Sequence, residues 1–202
     1  MKIGPRYKRA RRLGADIFEK TQSLKYAMRA ASKGAKRGGR SGYGKSDFGL
    51  QLHEKQRARF FYGIGEKQFA RYAAAASRRT APAEALYTSL ESRLDNALYR
   101  LGIAPSRQAA RQLASHGHFT VNGKRITIPS FSLSVGDVIT VRHGSLRKNP
   151  FINMADKIRD KNAPTWLSFD AIKGEAAVVA LPRMVRTELL FDMATILQFY
   201  NR

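Results

Sequence analysis

Apolar residues recur at helical spacing in several stretches of the chain, most plainly in EKQFARYAAAASRR, residues 66–79. Phe69, Tyr72, Ala73 and Ala76 fall at i, i+3, i+4 and i+7 while Arg71, Arg78 and Arg79 lie off that stripe, which predicts an amphipathic helix. Just before it, SDFGLQLHEKQRARFFYG (46–63) offers Ser46 or Asp47 as an N-terminal cap and Gly63 as a stop, so a helix is predicted between them. The aromatics Phe60, Phe61, Tyr62 and Phe69 sit at helical spacing and are assigned to the core. TAPAEA (80–85) reads as a short linker. In TSLESRLDNALYRLG (88–102), Thr88 and Glu91 have the spacing of a capping box and Leu90, Leu94, Leu98 and Leu101 share a face, predicting one helix that starts at Thr88 and stops at Gly102. After Pro105, Ser106 caps RQAARQLASHG, which Gly117 ends.

The pattern then changes. In FTVNGKRIT (119–127), Asn122-Gly123 lies between two β-rich runs, a strong hairpin signal. Val135-Gly136-Asp137 turns into the strand VITV. FINMADKIRD (151–160) is a short helix candidate, WLSFDAIKGEAAVVALP (166–182) reads as two strands about Lys173-Gly174, and LLFDMATILQFYNR (189–202) is apolar at helical spacing and predicts a final helix. No internal repeat or low-complexity tract is visible.

Charge narrows the partners. Lys and Arg number 37 against 15 Asp and Glu, a formal +22 in 202 residues. Such a surplus repels itself unless a polyanion neutralises it, which points to nucleic acid or an anionic membrane. No apolar run reaches transmembrane length and MKIGPRYKRARRLG carries no apolar signal core, so nucleic acid is favoured and no membrane partner is expected. The absence of cysteine excludes disulfides and thiolate metal sites. Residues 1–45 concentrate the charge: fourteen basic residues against Asp16 and Glu19 alone, in Gly- and Ser-rich sequence. That composition predicts a basic extended arm that orders on its polyanion.

Two motifs invite catalytic readings. GRSGYGKS (39–46) satisfies the P-loop pattern, but no buried strand precedes it in MRAASKGAKRG (28–38), and the nearest imitation of a magnesium-binding strand, LLFD ending at Asp192, lies in a helical pattern. The letters are therefore read as basic backbone able to press close to phosphates. Arg93-Leu94-Asp95 matches the triplet around the catalytic aspartate of one class of pseudouridine synthases, yet here it sits on a short amphipathic helix, where Asp95 is assigned to helix or RNA-contact geometry. His53, His116, His118 and His143 assemble no metal set by spacing, and no Ser-His-Asp arrangement or paired carboxylates stand out, so no catalytic residue, metal or cofactor is expected. What stands out instead is a helix pair: Arg107 and Arg111 share a face with Gln112 beside them, the helix opens at Ser106 where free N–H groups attract phosphate, and Arg93 and Arg100 share a face of the preceding helix, near the Lys124-Arg125 hairpin. Because A-form RNA hides its major groove, such a surface would read helix shape and backbone.

RLDNALYRLGIAPSRQAARQLASHGHFTVNGKRI (93–126), followed by VGDVITVR (135–142), resembles the small RNA-binding module named after the S-four family of small-subunit ribosomal proteins. The module also occurs in pseudouridine synthases, a tyrosyl-tRNA synthetase and heat-shock RNA binders, so an RNA-modifying enzyme and an RNA chaperone stand as alternatives. SDFGLQLHEKQRARFFYGIGEKQF (46–69) is similar to the helical domain of the ribosomal family, and PTWLSFD (164–170) to its later segment. The resemblance implies an α+β fold: a basic arm at 1–45, a helical domain at 46–87 completed by 183–202, and between them, at 88–182, an α/β RNA-binding domain of two helices on a small, mostly antiparallel sheet. It implies a cytoplasmic, non-enzymatic constituent of the small ribosomal subunit that binds a multi-helix junction in the 5′ region of small-subunit rRNA and nucleates assembly. It further implies neighbours S-five and S-three, a position near the channel by which mRNA enters, and an influence on decoding accuracy. Arg93, Asn96, Arg100, Ser106, Arg107, Arg111, Gln112, His116, Asn122 and Lys124 occupy the module's matching positions, and Arg9, Arg11, Arg12, Lys36, Arg37, Arg40, Lys45, Lys55 and Arg57 join them as RNA-contact candidates. Many relatives carry a four-cysteine zinc knuckle in the arm; this chain has no cysteine, so no zinc is expected, and the family's usual Pro-Gly-Gln-His-Gly before the helical domain is replaced around residues 39–46.

Overall fold

A computed structural model describes residues 3–13, 17–35, 46–152, 158, 163–170, 173–185 and 189–201. It divides into two units, Met1–Leu86 with Val185–Arg202, and Tyr87–Met184.

The first unit is helical. Its elements are α1 (Arg6–Leu13), a 3-10 turn (Glu19–Thr21), α2 (Leu24–Ala35), α3 (Asp47–Tyr62), α4 (Glu66–Ala76) and the C-terminal helix α8 (Met193–Tyr200), and α5 (Pro82–Glu91) begins in it. Ser46 Oγ accepts the Gly49 N–H at 3.3 Å to cap α3, and Gly63 ends that helix at φ +66°, a left-handed conformation that costs glycine little. The Asp192 carboxylate caps α8 by accepting the N–H groups of Ala194 and Thr195, each at 3.1 Å. Phe48 meets Phe199 at 5.6 Å and Phe69 meets Tyr200 at 6.0 Å between ring centroids, so aromatic contacts fasten α8 to α3 and α4.

Within the first 45 residues the structure shows more order than composition implied. α1 carries five basic residues and no acid, yet Ala10 and Leu13 on its apolar edge pack with Ile17, Phe18 and Phe60 in one buried cluster. Burying a side chain such as Leu13 contributes about 1.5–3 kcal/mol, enough to hold a two-turn helix that would not persist alone. Two arginines assist: the Arg9 guanidinium lies 4.5 Å from the Phe60 ring centroid, and Arg57 Nε donates to the Leu13 carbonyl at 2.8 Å, filling an orphan acceptor at the end of α1.

The second unit places α6 (Leu94–Arg100) and α7 (Arg107–Ser115) with a five-stranded antiparallel sheet of β1 (Phe119–Val121), β2 (Lys124–Ile126), β3 (Val138–Val141), β4 (Leu167–Asp170) and β5 (Glu175–Val178), in spatial order β2-β1-β3-β5-β4. Asn122 at φ +50° and Gly123 at φ +76° form the tight turn that joins β1 to β2 with Val121 opposite Lys124. Leu94, Leu98, Leu101, Ala110 and Ala114 from the helices share one buried core with Phe119, Val121, Ile139, Trp166, Ala176 and Val178. The architecture is α+β, as the sequence implied.

Three local expectations are corrected. TAPAEA is not a linker: α5 runs through it with Pro82 as its first residue, where the missing N–H costs nothing. Thr88 and Glu91 therefore lie in the last turn of α5 and do not cap a helix start. The helix predicted over 88–102 is broken at Arg93, which is extended (φ −71°, ψ 139°), because the 129–133 segment supplies the backbone partners that the break exposes. Leu94 and Asp95 donate to the carbonyls of Phe131 and Pro129 at 2.9 and 3.0 Å, and Leu133 donates to that of Ser92 at 2.8 Å. Most of FINMADKIRD lies outside the described residues; Phe151 ends a 3-10 turn (Asn149–Phe151), with its ring 5.7 Å from Phe119.

Candidate nucleic-acid interface

Two buried carboxylates organise the cations of the second unit. Glu91 is fully buried and accepts Arg100 Nε at 2.9 Å, Arg100 Nη2 at 2.8 Å and Asn96 Nδ2 at 2.8 Å. Asn96 Oδ1 in turn accepts Arg107 Nε at 2.9 Å, and the Arg107 guanidinium lies 4.3 Å from the Tyr99 ring centroid. Asp95, also buried, accepts both nitrogens of the Arg93 fork, at 3.0 and 2.7 Å, and Arg111 Nη1 at 3.2 Å. The break between α5 and α6 is what brings Glu91 and Asp95 to serve separate arginines. A buried ion survives desolvation only when its partners are well placed, and here each carboxylate has a forked guanidinium and a second donor.

This network sorts the predicted contacts. Arg93 is 1% exposed, Asn96 2% and Arg107 8%, so these three form the framework. Arg100 and Arg111 are anchored at one end and reach solvent, the Arg111 side chain being 40% exposed. Ser106 is committed to capping, with its Oγ accepting the Ala109 N–H at 3.2 Å. Asn122 is exposed, but its amide donates to Asp137 at 2.8 Å and accepts the Val138 N–H at 2.9 Å, tying the hairpin to β3. Gln112, His116 and Lys124 present exposed side chains.

The end of α7 adds cations that sequence reasoning did not single out. Arg142 pairs its backbone N–H with the His118 carbonyl at 2.8 Å, extending the β1–β3 register by one step, and Lys148 lies close enough to His118 for its charge to act there. With Arg125 they gather around His118, whose Nδ1 is 2.9 Å from Ser145 Oγ. Burial holds the His118 pKa below its ordinary value, and the charges of Lys148, His116, Arg142 and Arg125 depress it further, so the ring is neutral near pH 7. Gly117 suits this corner because its φ of +68° is a left-handed conformation that other side chains rarely adopt. The signal that could have flagged Arg142 is strand register, which is readable only once β1 and β3 are known to pair.

In the first unit Lys55 and Arg57 are structural. Lys55 is 6% exposed, donates to Glu66 at 2.9 Å and sits 4.2 Å from the Phe199 ring centroid. Arg57 is held by Leu13 and by Glu54 Oε1 at 2.6 Å. Burial pushes the Glu66 pKa up, but hydrogen bonds from Lys55, Tyr200 and Arg59 outweigh it and hold the carboxyl below its ordinary value. Arg11 and Arg12 are exposed on α1, and Arg9 is half-buried over Phe60. Lys36, Arg37, Arg40 and Lys45, with the octapeptide up to Lys45, lie outside the described residues.

The sequence matches those of known proteins along its length. The family model described as "Ribosomal protein S4/S9 N-terminal domain" matches residues 1–94, and that described as "S4 domain" matches residues 92–139. The small ribosomal subunit protein uS4 of Corynebacterium glutamicum is 42% identical over 200 residues, with 98% of both chains covered. That of Chloroflexus aurantiacus is 42% identical over 208 residues, covering 99% of this chain and 98% of its own. The uS4 of Albidiferax ferrireducens is 39% identical over 203 residues with the same coverage.

Proposed function

Because this chain belongs to the uS4 family of small ribosomal subunit proteins, we propose that it binds a multi-helix junction in the 5′ region of small-subunit rRNA and nucleates assembly there. It is a structural constituent of the small subunit and an rRNA-binding protein of the translation apparatus, not an enzyme. The observation that carries the finer reading is the cationic surface of the second unit, where partly exposed Arg111 and Arg100 stand on a frame fixed by buried Glu91 and Asp95, and Lys124 is exposed on the β1–β2 hairpin. Cations pre-positioned by a rigid frame lose little entropy on meeting phosphates, and their fixed spacing selects the shape of a folded junction over a flexible strand.

Exposed Gln112, His116 and Arg125 widen that surface, and Arg11 and Arg12 offer a second one on α1. Neighbours S-five and S-three, proximity to mRNA on its way into the ribosome, an effect on decoding accuracy and a cytoplasmic location belong to the same proposal. The rival reading, an RNA-modifying enzyme built on this module, needs a carboxylate facing a base, whereas both Asp95 oxygens accept from buried or half-buried arginines.

The test is chemical footprinting of the full chain on a transcript of the 5′ region of small-subunit rRNA, with co-sedimentation on small subunits through a high-salt wash. Protection of several helices around one junction, and retention after the wash, are expected. Diffuse protection with loss in the wash would overturn the junction reading in favour of a transient RNA chaperone.

A further inference from the structure

The first unit contains a cleft of about 460 Å³ walled by α1 and α3. Its rim carries Lys8, Arg9, Arg12 and His53, with Arg59 paired to Glu66 at 2.6 Å, and no carboxylate lines it among the described residues; its floor is apolar, formed by Pro5, Leu13, Leu52 and Phe60. The volume lies within the range of about 300–1,000 Å³ of small-molecule sites. A bare phosphate would use the rim and leave the floor empty. A lipid chain would want a longer floor.

Two features point to a nucleotide. The Phe60 ring has a guanidinium on it from each side wall, Arg9 at 4.5 Å and Arg59 at 4.9 Å from its centroid, and Arg9 is only half-buried. A guanidinium plane backed by an aromatic ring is a stacking surface for an unstacked base. Second, Arg59 Nε and Gln56 Oε1, three residues apart on one face of α3, are buried without a hydrogen-bond partner among the described residues. An unmet donor and an unmet acceptor are costly in a folded protein, and both belong to residues that line this cleft.

We propose that this cleft seats one unstacked nucleotide of the bound RNA, its phosphate between Lys8 and Arg12 and its base over Arg9. The inference rests on the rRNA-binding reading and adds to it a single-nucleotide site that neither long-range charge nor helix shape requires. It predicts that part of the affinity depends on the cleft's volume as well as its charge.

The experiment measures binding of the full chain to the 5′-region rRNA transcript as a function of salt, for the unaltered protein, Leu52→Trp and Arg12→Gln. Leu52→Trp fills the floor without changing charge, so affinity should fall about tenfold with the salt slope unchanged. Arg12→Gln should lower the magnitude of the slope by about one phosphate contact. In parallel, AMP, GMP, CMP and UMP are titrated against inorganic phosphate on the unaltered chain, with NMR signals of the Phe60 ring as the readout, so that a misfolded Leu52→Trp still leaves a decisive measurement. Nucleotides that shift Phe60 while phosphate does not support the site. Unchanged rRNA affinity in a folded Leu52→Trp, or nucleotides that shift Phe60 no more than phosphate, would overturn it. If the unaltered protein fails to bind the transcript at all, the parent reading has failed instead.

Discussion

The two units hold their cations by opposite means. In the second, Arg93, Arg100, Arg107 and Arg111 converge on two buried carboxylates and one asparagine, so their positions are set before any ligand arrives. In the first, α1 packs Arg6, Lys8, Arg9, Arg11 and Arg12 into eight residues with no acid among them, and is secured by a small apolar cluster, one arginine on Phe60 and one hydrogen bond to Leu13. The difference teaches that one basic protein can present a rigid cation array and a self-repelling one. The first suits recognition of a fixed RNA shape. The second is suited to neutralisation by phosphates.

The comparison breaks most sharply at Glu91. Glu91→Ala removes the buried carboxylate that accepts the Arg100 fork and one bond from Asn96, and should destabilise the second unit by about 3–5 kcal/mol, read as a lowered urea midpoint. Leu13→Ala, the matching insult in the first unit, should cost about 2–4 kcal/mol locally and raise hydrogen exchange along α1 while exchange in β1 and β3 stays slow. Equal destabilisation of both units by either change would erase the distinction between them.

Arg111→Ala comes next. Its side chain is partly exposed and makes one bond to Asp95, so loss of about 1–3 kcal/mol in rRNA affinity with near-unchanged stability is expected, measured by filter binding and thermal unfolding. Arg107→Ala should do the reverse, lowering stability through its buried bond to Asn96. If the two variants behave alike, the framework and contact roles have been misassigned.

The smallest effect is in acid. His118 titrates below its ordinary value of 6.5 when folded, so the unfolded chain takes up the proton first: the contribution is intact above pH 6.5 and is lost as pH falls from there. Glu66, held below its ordinary 4.5, contributes fully above pH 4.5 and loses that contribution only as pH falls through its lower folded value. The second unit should therefore begin to weaken at milder acidity than the first, and His118→Gln should remove the early part of the decline. Hydrogen exchange at pH 7.5, 6 and 4 checks both windows.

How much of this was legible depends on the range of the interaction. Ser106, Gly63, Gly117, Asn122-Gly123 and Lys173-Gly174 act on their immediate neighbours, and the caps and turns they predict are present at those positions. Glu91 misled because its capping-box spacing to Thr88 is local, whereas its partner Arg100 lies nine residues on across a helix break set by residues 129–133. Pro82 looked like a linker signal and is a helix start. In the arm, composition spoke for disorder, and the stabilising partner of Leu13, Phe60, lies 47 positions away, beyond the reach of any window. At the site, the presence of arginines was readable; which of them are walled in by carboxylates was not.

The central claim is that fixed cations bind folded rRNA by neutralising its phosphates. It is tested most directly by equilibrium binding of the full chain to the 5′-region transcript across a salt series. With on the order of eight to ten phosphates contacted, affinity should fall about 10³- to 10⁵-fold between roughly 50 and 200 mM salt. A flat salt response, or no binding to that RNA, would contradict it.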